Sequence, residues 1–128
     1  MNISPRAGVE IVAAAPRYRS IRVEVALETR EDAEVGETVR RVTELLDQYL
    51  HPLVGGDDGQ GWPFGGTLSY FTLQRRLASV TGVSAVSPVN LVVDGLRIQA
   101  CSDYHIADDS LFWPEGHQVI VLKAQEGL

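Results

Sequence analysis

The sequence predicts an α+β fold: a two-layer sandwich in which two amphipathic helices pack on a mostly antiparallel sheet of four or five strands. Three observations carry this prediction. Apolar residues alternate from Ile21 to Leu27, they recur at spacings of three and four from Val35 to Leu53, and Asp94-Gly95 separates two apolar runs as a two-residue hairpin turn.

Taken in order, Val9 and Ile11 suggest a short first strand, closed off by Pro16, which cannot donate to a ladder. From Tyr18 to Glu28, Ile21, Val23, Val25 and Leu27 alternate with Arg22, Glu24, Ala26 and Glu28, the period of a strand with one buried and one wet face. Asp32 offers an N-cap, and Glu34 and Glu37 suit the positive end of a helix dipole. The stripe Val35, Val39, Val42, Leu46, Tyr49 and Leu53 then predicts an amphipathic helix. Burying that stripe is worth on the order of 10 kcal/mol before entropy, which outweighs Gly36 in the interior. Pro52 and Gly55-Gly56 end the helix. Residues 55–66, GGDDGQGWPFGG, hold too many glycines for a regular element and predict a long loop. Thr67 to Phe71 reads as a short strand and Thr72 as the cap of a second helix with the stripe Leu73, Leu77 and Val80, stopped by Gly82. Val83 to Val93 is extended with an interruption at Pro88, and Leu96 to Ala100 returns after the hairpin turn. Cys101 to Glu115 reads as irregular and acidic, and Gln118 to Lys123 as a last strand.

With 128 residues and 45% hydrophobic side chains, the chain suits one domain over 1–128 with flexible ends at 1–7 and 124–128. One cysteine, Cys101, excludes an intrachain disulfide and points to a reducing, cytoplasmic setting. No apolar run is long enough to insert in a membrane, and the first residues lack the pattern of a signal peptide. Eleven basic residues against 17 acidic ones, for a net charge of −6, argue against nucleic acid, whose phosphates need clustered cations.

Chemical constellations are weak. The glycine-rich loop lacks the Lys-Ser/Thr ending of a phosphate loop, Asp57 and Asp58 repel anions, and their adjacency does not fit a calcium loop. Cys101, Asp103 and His105 alternate and would share one strand face, but a structural zinc site needs a second cluster, which is missing. No nucleophile elbow accompanies the histidines. His51 suits a helix C-terminus with loose carbonyls, and His117 suits a donor at the start of the last strand. Glu44 and Asp47 read as a solvated helix face. No catalytic residue, metal, cofactor or small-molecule substrate is therefore expected. Trp62, Pro63 and Phe64 are left, with Trp113 beside Pro114 posing the same choice: a plug folded back on the core, or an anchor for another chain.

Four strings occur in order: APRY at 15–18, LHPLVGGDDGQGWPFG at 50–65, VTGV at 80–83 and DSLFWPEGHQVIVL at 109–122. Together they resemble the C-terminal region of baseplate J-like proteins, wedge components of contractile phage tails and phage-tail-like injection systems. Gly66-Thr67 and Thr81 depart from that pattern, where a basic-acidic pair and a proline are usual. The resemblance implies a non-enzymatic building block, assembled in the cytoplasm into a virion or particle baseplate, with other wedge proteins and copies of itself as partners. It supplies no catalytic residue. The alternative is a stand-alone module binding a small ligand beneath Trp62.

Overall fold

The computed structural model describes residues 17–98 and 101–122. The suggested strand at Val9 and Ile11, the chain ends at 1–7 and 124–128, and the last residue of the expected final strand lie outside these residues. The fold is α+β, with two helices and a mostly antiparallel multistrand sheet. Among the described residues no helix is long and apolar enough to cross a membrane.

The alternating segment becomes β1 (Arg17–Thr29), and Ile21, Val23, Val25 and Leu27 are buried as their period requires. It is the spine of the sheet. Helix α1 (Val35–Leu50) follows, then β2 (Thr67–Leu68), α2 (Tyr70–Ala78), β3 (Val83–Val86), β4 (Asn90–Val93) and β5 (Leu96–Arg97). After these come β6 (Tyr104–His105), β7 (Ser110–Pro114) and β8 (Gln118–Val121). Along one edge β1 pairs antiparallel with β4 and then β3, and β5 continues outward from β4 through the Asp94-Gly95 turn. Along the other edge it pairs in parallel with β7 and then β8.

Each edge of β1 is thus served by two short strands, because Pro88 and Pro114 interrupt the ladders. Backbone groups at the interruptions still need partners. At one, Ala26 N–H donates to Ser87 Oγ at 3.0 Å and Ser87 N–H donates to Ala26 O at 2.9 Å. At the other, Glu115 N–H donates to Ile21 O at 3.1 Å, while Val23 N–H donates to the Nδ1 atom of His117 at 3.0 Å. An imidazole stands where a strand carbonyl would be.

Helix α1 lies against β7, β8 and β1, and α2 against β3. Val42, Leu46 and Leu50 of α1 meet Ile21, Val23 and Leu27 of β1, Leu73 and Leu77 of α2, and Phe112 of β7 in one core.

Several expectations are corrected. Glu34, not Asp32, caps α1, accepting from Glu37 N–H at 2.8 Å, because residues 31–33 are spent on a turn. The buried stripe includes Thr38 and Leu50, whereas Val35 and Leu53 are exposed, since Leu53 lies beyond the helix end and no longer follows its phase. Ser69, not Thr72, caps α2, so Tyr70 and Phe71 form its first turn rather than a strand. The main sheet has six strands instead of four or five, with β2 and β6 as a separate pair. Two of the six, β7 and β8, run parallel to β1. The segment expected to be irregular contains β6 and β7.

Candidate functional site

The glycine-rich loop is built onto the end of α1. Gly55 N–H donates to His51 O at 2.9 Å and Gly56 N–H to Tyr49 O at 2.8 Å, so the loop caps carbonyls the helix leaves open. Gly55 comes so close that a Cβ there would lie 2.2 Å from Tyr49 O. The loop then closes on itself: Gly61 N–H donates to Gly55 O at 2.8 Å and Trp62 N–H to Pro52 O at 3.0 Å.

Trp62 turns inward. Its ring stands edge-to-face on Tyr49 and Phe112, with centroids 5.4 and 5.1 Å away, and its Nε1–H donates to Tyr49 O at 2.7 Å. Tyr49 in turn donates its hydroxyl to Asp57 Oδ1 at 2.7 Å, and the Arg76 guanidinium lies 4.5 Å over its ring. Burial, and then the Asp57 carboxylate, push the Tyr49 phenol well above its ordinary pKa. Arg76 also donates to Asp57 O at 3.0 Å, which ties the loop to α2. Asp58 Oδ1 accepts from Gln60 N–H at 3.0 Å. Both aspartates serve the loop's own structure.

Two residues on, the loop turns outward. Pro63 is exposed, Phe64 is 58% exposed, and Trp113, on β7, is 45% exposed. Tyr18 lies edge-on to Trp113 at 5.6 Å, and the His51 ring is 6.5 Å from it. Tyr18, Leu53, Trp62 and Phe64 line one shallow apolar groove with Pro52 and Pro63. Next to it, Asp47, His51, Trp113 and Glu115 line a second pocket. These side chains leave apolar surface open to solvent on this face.

Of the four residues singled out in the sequence, Trp62 is therefore the plug, while Pro63, Phe64 and Trp113 face outward. Sequence reasoning missed Tyr18 and Leu53. Tyr18 shares the wet phase of Arg22 and Glu24 on β1, a signal that marks it as exposed. Leu53 follows Pro52, where the helical stripe no longer applies.

The remaining candidates are dispersed. The Cys101 thiol lies 3.5 Å from the Tyr70 hydroxyl, Asp103 accepts from Tyr70 N–H at 2.7 Å, and His105 Nδ1 meets Thr67 Oγ1 at 2.8 Å. Among the described residues no group of three or more His, Cys, Asp or Glu side chains is placed to hold a metal. His51 caps α1, but its Nδ1 accepts from Leu53 N–H at 3.1 Å rather than the ring donating to loose carbonyls. His117 likewise accepts, through Nδ1, instead of donating. Its side chain is 1% exposed, and Nε2 sits 3.2 Å from Asp47 Oδ1 without hydrogen-bond alignment. Burial holds this imidazole below its ordinary pKa, against the opposing pull of Asp47. Glu44 pairs with Arg40 on the solvated side of α1.

No protein-family profile matches the chain, and no curated protein matches it.

Proposed function

We propose that this chain is a non-enzymatic structural module of a contractile-tail baseplate wedge, of the baseplate J-like kind, whose two-layer α+β body presents the aromatic face to neighbouring wedge proteins. One observation carries the reading. Three of the strings that resemble the family meet in space: Tyr18 comes from the first, Leu53, Trp62 and Phe64 from the second, and Trp113 from the last. Phe64, Leu53 and Trp113 lie at the surface close together, and covering such side chains with a partner is favourable by roughly 1.5–3 kcal/mol each when burial is complete. The space beneath Trp62 is filled by Tyr49 and Phe112, which weighs against a small-ligand module.

In this reading the chain folds in the cytoplasm and ends in the baseplate of a virion or phage-tail-like particle. The test is assembly. The tagged chain is expected to co-purify with wedge proteins encoded beside it, and particles are expected to fail without it. Normal particles in its absence, together with no association, would refute the proposal.

A further inference from the structure

We infer that the partner docking on this face inserts an arginine side chain into the pocket between the end of α1 and the β7–β8 connection, with an adjacent apolar side chain in the groove; the inference rests on the docking reading above. The pocket, about 290 Å³, is walled by the exposed Trp113, by His51, and by two carboxylates, Asp47 from α1 and Glu115 from the connection. Some carboxylates of the described surface are answered by arginine, Glu24 by Arg97 and Arg22, Glu37 and Glu44 by Arg40, Asp94 by Arg19, and others are left open. Asp47 and Glu115 have no such partner among the described residues.

The nearest basic group to Asp47 is His117, and it is held neutral by geometry. Its Nδ1 accepts the Val23 N–H, so the ring's single proton sits on Nε2, buried, without a hydrogen bond, and turned toward Asp47 at 3.2 Å. Among the described residues no arginine or lysine thus answers the two carboxylates, which share the pocket with His51 and the Trp113 indole. That combination fits a planar guanidinium, which stacks on the ring while its N–H groups reach the carboxylates. Trp113, edge-on to Tyr18, joins the pocket to the apolar groove. One short segment crossing the face thus meets both.

The test uses the isotopically labelled whole chain and two synthetic peptides, acetyl-Pro-Leu-Arg-amide and its citrulline counterpart, which has the same shape without the charge. The arginine peptide is expected to shift the Trp113 indole and Gly116 amide signals saturably, in the millimolar range, with the citrulline peptide roughly tenfold weaker. The pair Asp47→Asn and Glu115→Gln, which keeps side-chain shape, is expected to erase the difference. Equal binding of the two peptides, or arginine preference surviving in the double variant, overturns the inference. If arginine shows no preference while the chain still co-purifies with wedge proteins, the pocket assignment falls and the docking reading stands. Arginine preference without co-purification supports the pocket and removes the wedge.

Discussion

Trp62 and Phe64 stand two residues apart in one loop, and the structure assigns them opposite energetic roles. A fully buried Trp→Ala change costs about 3–5 kcal/mol. Trp62 is half-buried, which lowers the area lost, but its ring has two edge-to-face partners worth roughly 0.5–1.5 kcal/mol each and a hydrogen bond to Tyr49 O worth about 1 kcal/mol. Tyr49 O still accepts from Gly56 N–H when the indole is gone, so no acceptor is stranded. Trp62→Ala is expected to destabilise the chain by about 3 kcal/mol. Phe64→Ala, at a side chain 58% exposed, is expected to cost under about 1 kcal/mol. Urea titration followed by far-ultraviolet circular dichroism measures both. Equal losses, or a Trp62→Ala loss below about 1 kcal/mol, would refute the division of the loop into an inward plug and an exposed side chain.

Other outcomes follow from the same geometry. Because burial lowers the His117 pKa, the unfolded chain takes up that proton first: stability is full above about pH 6.5 and falls, by up to about 1.4 kcal/mol per pH unit, until pH passes below the folded value. His117→Gln, which retains an acceptor for Val23 N–H, is expected to remove that slope in urea midpoints taken between pH 7.5 and about pH 5. Gly55→Ala places a methyl 2.2 Å from Tyr49 O and is expected to cost about 2–3 kcal/mol in the same titration, since backbone on both sides must shift. Glu24→Gln breaks the pairs with Arg97 at 2.7 Å and Arg22 at 3.0 Å, with an expected loss of about 1 kcal/mol at low salt that shrinks at high salt.

Much of the fold is legible where local pattern and tertiary role coincide. β1 declares itself because a half-buried strand must alternate, and the Asp94-Gly95 turn does so because both residues take positive φ, 50° and 83°. β7 is hidden for the opposite reason: Ser110, Leu111 and Phe112 are all buried, so no alternation survives, and Pro114 reads as a strand breaker. The helix caps slip by two or three residues because Asp32, Glu34, Ser69 and Thr72 are all competent, and the turn before each helix decides among them. At the site, the sequence marks the aromatic cluster but cannot separate Trp62 from Phe64. Which of the two reaches Phe112 depends on β7, a strand the local pattern does not reveal. The acceptor role of His117 is equally invisible, since it arises from a gap between two strands on the edge of a third.

The central claim is that the face built by Tyr18, Leu53, Phe64 and Trp113 is covered by another protein in an assembled particle. Photo-cross-linking measures this directly, with a benzophenone side chain replacing Phe64 in one variant and Glu44, on the solvated side of α1, in another. The account predicts a discrete cross-link from position 64 to a wedge protein in purified particles, and none from the free chain. No cross-link at 64, with an abundant one at 44, would contradict it.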